Sequence, residues 1–214
     1  SVYMARRLNG GSPYQAYSAL FTYEFVCRLA RLISKNNQGQ LKLSIGVIAP
    51  YRAQADIVDK LILGANLPEE ITVRVGTIHS FQGDECEIII AMFNTPPQIS
   101  QNPNLFLNKD EIINVSISRA KDYLFVVMPD EETDGVENLK KLMRIREYMS
   151  NEEEEFREFS SSDIERLMFD GKGNFIEGNT FATGHQDVNV YRRPEKRYEI
   201  RSADTAIDVQ VYEG

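Results

Sequence analysis

One nearly unbroken apolar run, Cys86-Glu87-Ile88-Ile89-Ile90-Ala91-Met92-Phe93, most narrows the folds open to this chain. A strand with one wet face alternates apolar and polar residues, whereas a run apolar at both parities suits a strand covered on both faces, as in a parallel sheet between helical layers. Three further strand-like segments fit the same sheet: Leu43–Ala49, stopped by Pro50; Ile71–Val75; and Tyr123–Met128. Helical spacing fills the gaps between them. Gln15–Lys35 carries Phe21, Phe25, Leu29 and Leu32 or Ile33 on one stripe and ends at Asn36-Asn37-Gln38-Gly39. Ala53, Ile57, Val58, Leu61 and Ile62 mark a second helix with Gly64 as its C-cap, and Lys109–Ala120 a third. Asn94–Asn108, with three prolines, reads as a loop, as do residues 1–15 with Gly10-Gly11 and Pro13. Strands alternating with helices imply an α/β fold with crossover connections, and ligands at the carboxyl ends of its strands.

The chain has 214 residues, one large domain or one domain with an appendage, and its 42% hydrophobic content supports a core. The net charge of −8 is uneven. Residues 1–150 hold 16 Lys+Arg against 17 Asp+Glu; residues 151–214 hold 8 against 15. The acidic tail is therefore a poor nucleic-acid surface, while the near-neutral first part leaves room for a local basic groove. Cys27 and Cys86 make neither a disulfide framework nor a metal spacing; they read as buried free thiols in a reducing cytoplasm, and no metal site is expected. No apolar stretch reaches membrane-spanning length. Ser1-Val2-Tyr3 opens the chain without Met, which leads us to expect a monomeric piece of a longer protein.

Past Asp130 the pattern changes. Val136–Met149 has helical spacing, Glu152–Glu155 is a like-charge run typical of a solvated linker, and Ser162 with Glu165 fits a capping box before Ile164–Phe169. Asp170-Gly171-Lys172-Gly173-Asn174 is a turn. Val188, Val190, Tyr198, Ile200, Ile207, Val209 and Val211 then alternate with polar residues. The expected organisation is a first domain over 1–150 and an acidic linker with a small strand-rich appendage over 151–214, so that cutting after Met149 leaves the first domain folded.

Three segments carry the chemistry. They are Ala49-Pro50-Tyr51-Arg52-Ala53-Gln54 after a strand, Thr77-Ile78-His79-Ser80-Phe81-Gln82-Gly83-Asp84-Glu85 before the apolar run, and Asn114-Val115-Ser116-Ile117-Ser118-Arg119-Ala120-Lys121 before the last strand. In this order and spacing, over about residues 14–130, the chain resembles the second RecA-like domain of superfamily 1 helicases, in the branch of the nonsense-decay RNA helicase and its DNA-helicase relatives. The segments look like motifs IV, V and VI of that family.

The resemblance implies roles. Arg119 would reach the γ-phosphate of ATP, where a planar guanidinium spreads charge over the transferring oxygens. Glu85 would accept hydrogen bonds from ribose hydroxyls or stand near metal and phosphates, Gly83 would let the backbone pass the nucleotide, Gln82 would position the loop, and Arg52 would be a nucleotide contact weaker than Arg119. Thr77, His79 and Ser80 would meet the nucleic-acid backbone without reading sequence, beside a ledge of Pro50 and Tyr51. Each has a plainer reading: Arg119 and Gly83 as structural residues, Glu85 and Lys121 as solvated charges, Tyr51 as core, His79 as an idle loop histidine. His79 also departs from the relatives, which commonly have Asp there.

There is no G-x-x-x-x-G-K-[ST] anywhere, and no Asp-Glu box at the end of an apolar strand. ATP and Mg²⁺ would then be held mainly by an upstream RecA-like domain, with single-stranded DNA or RNA in a shared groove and, by analogy, 5′→3′ movement. The alternative is a RecA-like scaffold that binds protein or nucleic acid without catalysis.

Overall fold

The computed structural model describes residues 5–6, 12–38, 40–81, 83–93, 106–129, 136–151, 156–169, 188–192, 198–202 and 205–209. A two-residue antiparallel pair, β1 (Ala5–Arg6) with β2 (Pro13–Tyr14), precedes helix α1 (Ala16–Asn36). Then follow β3 (Leu43–Ala49), α2 (Arg52–Leu63), β4 (Ile71–Thr77), β5 (Cys86–Met92), α3 (Asp110–Ile117), β6 (Ala120–Val127), α4 (Lys140–Ser150) and α5 (Ser161–Phe169). The central sheet has the order β4-β3-β5-β6, and each neighbouring pair is parallel. This is the RecA-like α/β sheet expected. A separate antiparallel sheet joins β7 (Val188–Arg192), β8 (Tyr198–Ser202) and β9 (Thr205–Val209), where the alternating pattern had pointed to strands.

Strand parity sorts the core into two layers. Ile45, Val47, Ile88, Ile90 and Met92 face a cluster built with α1 and α2. Ile48, Ile89, Ala91 and Phe93 face a second cluster, with Ile112 and Ile113 of α3 and Leu142 of α4. Both parities of β5 are thus buried, which is why its sequence is apolar throughout. Leu32 is 56% exposed, so Ile33 completes the α1 stripe.

The structure moves several boundaries. The first residues are more than a loop: Ser12 accepts the Ala53 N–H through its hydroxyl (3.1 Å), and buried Gln54 accepts the Gln15 N–H (2.7 Å) while donating to the Ser18 hydroxyl (3.1 Å). Gln54 of the Pro-Tyr-Arg-Ala-Gln segment therefore ties α2 to the start of α1. Gly64 caps α2 with φ −90°, a right-handed conformation that does not require glycine. Ser160, two residues earlier than expected, caps α5: its hydroxyl accepts the Asp163 N–H (3.2 Å) and donates to the Asp163 carboxylate (2.7 Å). Helix α4 begins at Lys140, after a 3-10 turn over Val136–Asn138. Ile164 and Met168 of α5 pack against the α1/α2 cluster, and Arg146 of α4 pairs with Glu158. Gln82, Glu152–Glu155, the Asp170–Asn174 turn and Val211 lie outside the described residues.

The largest change concerns Arg119. Expected on a helix, it stands in the turn between α3 and β6. Its carbonyl already accepts the Cys86 N–H (3.0 Å), so pairing with β5 draws the chain out of the helix at Ser118 and starts the strand three residues before its apolar part.

Candidate functional site

In a parallel sheet every strand begins at one edge and ends at the other, so the candidates divide by edge. Glu85 immediately precedes β5, and Arg119 immediately precedes β6. The Cys86–Arg119 backbone bond sets these two positions side by side at the amino edge, opposite the carboxyl ends where ligands were expected. Pro50, Tyr51 and Arg52 follow β3, while Thr77 ends β4 opposite Ala49, so His79 and Ser80 follow at the carboxyl edge. The structure therefore brings Glu85 to Arg119 but leaves Arg52 with the other group. There Arg52 is exposed and sits 4.0 Å from Asp56.

At the amino edge Arg119 is half-buried, and among the described residues its guanidinium has no carboxylate partner. Its Nε and Nη2 donate only to the neighbouring Ser118 hydroxyl (3.3 and 3.0 Å). Glu85 is exposed. Gly83 has φ +92°, a conformation that costs a side-chain-bearing residue roughly 1–2 kcal/mol. A Cβ there would meet no atom of this chain within 4 Å. The backbone conformation, rather than crowding within the chain, fixes glycine at this position.

Beside them lies a polar cluster that sequence reading passed over. Glu87 accepts the Ser44 N–H (2.8 Å), the Ser44 hydroxyl (2.5 Å) and Lys121 Nζ (3.0 Å). The Ser44 hydroxyl, then Lys121, then the Ser44 amide hold the Glu87 carboxyl down at about 2, and Glu87 in turn raises Lys121. Lys121 is thus the partner of Glu87 rather than an unattached surface charge. The available signal was Glu87 itself, the one charge in an otherwise apolar strand.

The two edges are joined by the segment between β4 and β5, which has no α-helix. A 3-10 turn over Ile78–Phe81 lays the Phe81 ring on the sheet. Gly46 of β3 leaves the room: a Cβ there would come 2.8 Å from Phe81 Cε1 and 2.5 Å from Ile89 Cδ1. Arg74 covers Phe81 (4.8 Å from the ring centroid), pairs with Asp84 and donates to the Ser80 carbonyl. The Ser80 hydroxyl is turned inward to the Thr77 carbonyl (2.6 Å), and Thr77 is partly buried. His79 is exposed. Pro50 is buried, and Tyr51 packs on Phe106 (5.7 Å between centroids), with its hydroxyl pushed up to about 12 by burial. Tyr51 is therefore largely a packing residue, and sequence reading had not singled out Phe106.

Among the described residues no three His, Cys, Asp or Glu side chains cluster as metal ligands, and none of their helices is long and apolar enough to cross a membrane. Among the described residues, Glu85 and Arg119 beside the open turn at Gly83 do not make a complete Mg²⁺–ATP site.

Residues 8–131 match the family described as AAA domain. Over 127 residues, 58% of the chain and 10% of the relative, it is 28% identical to RNA helicase Mov10l1 of Mus musculus. An uncharacterized ATP-dependent helicase of Caenorhabditis elegans is 37% identical over 83 residues, 39% of the chain and 5% of the relative. Replicase polyprotein 1ab of Alphamesonivirus 1 is 29% identical over 110 residues, 50% of the chain and 2% of the relative. The chain spans between 2% and 10% of the length of these relatives. With the match covering more than half of the chain and both edges of its sheet, the chain belongs to the AAA domain family, as the RecA-like C-terminal domain of superfamily 1 helicases of the nonsense-decay branch.

Proposed function

We propose that this chain is the second motor domain of an ATP-driven helicase or translocase, moving 5′→3′ by analogy on single-stranded DNA or RNA in the cytoplasm. An upstream RecA-like domain holds ATP and Mg²⁺. This domain closes over them with its amino edge and holds the single strand with its carboxyl edge. The observation that carries the reading is the adjacency of Glu85 and an Arg119 that lacks a carboxylate partner among the described residues. A guanidinium engaged only by a neighbouring hydroxyl retains its charge for phosphoryl oxygens. In that assignment Arg119 stabilises the charge of the transferring γ-phosphoryl group, Glu85 accepts hydrogen bonds from ribose, and Gly83 and Gln82 shape the loop past the nucleotide. Thr77, His79, Ser80, Pro50 and Tyr51 form the strand-facing ledge, and the exposed Arg52 falls with them rather than with the nucleotide.

Phosphate release tests this reading. The isolated chain with saturating single strand is expected to turn over below about 0.1 per second, under the range usual for enzymes. Joined to its upstream domain, it is expected to show strand-stimulated hydrolysis. Comparable turnover by the isolated chain would reveal a complete site within it; no stimulation in the joined protein would favour a scaffold.

A further inference from the structure

Arg119 immediately precedes β6, an edge strand of the described central sheet, so its place is fixed from one side only. Among the described residues its side chain is held by nothing beyond Ser118. Its main chain is held by Cys86. What comes next is irregular: Cys86 pairs with Ala120 but Ile88 with Tyr123, so the single residue Glu87 stands opposite two, Lys121 and Asp122. Such a bulge leaves one residue without a ladder partner and re-aims its neighbours. The strand faces respond, since Cys86 packs in one core cluster and Ile88 in the other although they are two apart.

We propose that Glu87 is a positioning residue for Arg119. It spans the irregularity, binding Lys121 of β6 on one side and both the N–H and the hydroxyl of Ser44 of β3 on the other. Three strands are thereby locked together at the amino edge, within two residues of Arg119. Without the lock, the irregular first residues of β6 lose their side-chain brace, and the guanidinium loses its fixed origin. Misplacement of a reacting group by about 1 Å costs on the order of 100-fold in rate.

This inference rests on the catalytic reading of Arg119, and a double-mutant cycle separates the two. The protein is the longer one with its upstream domain, assayed for strand-stimulated ATP turnover, nucleotide affinity and melting temperature. Glu87→Gln keeps an acceptor for the Ser44 N–H but removes the charge facing Lys121. It is expected to lower turnover about 10- to 100-fold while changing nucleotide affinity less than about threefold. Lys121→Met should match it, and Lys121→Arg, which preserves the ion pair, should stay within about threefold of the parent. In the Arg119→Ala background, Glu87→Gln should cost nothing further, because the group it positions is gone. Lys121 is 48% exposed, so its variants report even if Glu87→Gln fails to fold. Full additivity of Glu87→Gln or Lys121→Met with Arg119→Ala, or unchanged turnover in both single variants, overturns the positioning role and leaves Arg119 intact as the reacting group. Normal turnover in Arg119→Ala alone overturns the catalytic reading and the positioning role with it.

Discussion

The two edges of the central sheet are made of different material. The amino edge is ionic: Glu87 and Lys121 are paired, Ser44 is engaged, and Arg119 and Glu85 stand beside them. The carboxyl edge is aromatic and short-chained: a buried Pro50, Tyr51 against Phe106, and a Ser80 hydroxyl folded back on Thr77. An edge that must place one charge relative to a phosphoryl group needs side chains held by other side chains. An edge that meets a repeating phosphate backbone needs only small donors on a firm turn. Arg52 lies at the same edge as its sequence neighbours Pro50 and Tyr51, away from Glu85 and Arg119.

If the edges divide the labour in this way, they respond differently to mutation. The largest effect is expected at the amino edge. In the two-domain parent, Arg119→Ala should lower strand-stimulated turnover by roughly 10³–10⁵ while shifting nucleotide affinity less than about tenfold. Arg119→Lys should recover little, because a point charge lacks the planar fork. Turnover and nucleotide binding, each with and without single strand, decide this; near-normal stimulated turnover in Arg119→Ala removes the amino edge from the reaction.

A smaller and different effect is expected at the carboxyl edge. His79 is exposed, whereas Ser80 already donates within the turn. His79→Ala should weaken single-strand binding about three- to tenfold, the scale of one hydrogen bond. Turnover at saturating strand should change less than about threefold. Fluorescence anisotropy of a labelled strand is the measurement. A turnover loss as deep as that of Arg119→Ala would show that the edges are not separable.

The smallest effect concerns neither edge. Cutting after Met149 removes Ile164, Met168 and the Glu158 partner of Arg146, whereas cutting after Phe169 keeps all three. Two partly buried apolar side chains are worth about 2 kcal/mol, so the shorter piece should melt roughly 4–8 °C below the longer one. Equal melting temperatures would place the boundary near residue 150 after all.

The layers of this fold could be read in advance because burial on two faces leaves its mark on residue type. Cys86–Phe93 announced a covered strand, and Leu43–Ala49 was bounded by Pro50. Motif order likewise singled out Glu85 and Arg119, which the Cys86–Arg119 backbone bond sets side by side. Two things left no comparable mark. Strand pairing starts β6 at Ala120 through a backbone bond, and no side chain encodes where a helix yields to a ladder. The Glu87–Ser44–Lys121 cluster joins residues 43 and 34 positions apart, so local periodicity cannot show it.

The connection between β4 and β5 has a mechanical consequence. Thr77 lies level with Ala49, and the β3–β5 register puts Cys86 near Leu43, six residues back along the sheet. At about 3.3 Å per residue the chain must return roughly 20 Å, besides stepping about 10 Å sideways across β3. It has only eight residues, 78–85, for this, and four of them are coiled into the 3-10 turn. Parallel strands usually need a dozen or more residues to cross over. This one is taut. Losing a single residue from it would force the strands out of register, while substitutions at its exposed positions other than Gly83 leave its span untouched. For this stretch of the chain, length is the quantity that the geometry itself constrains.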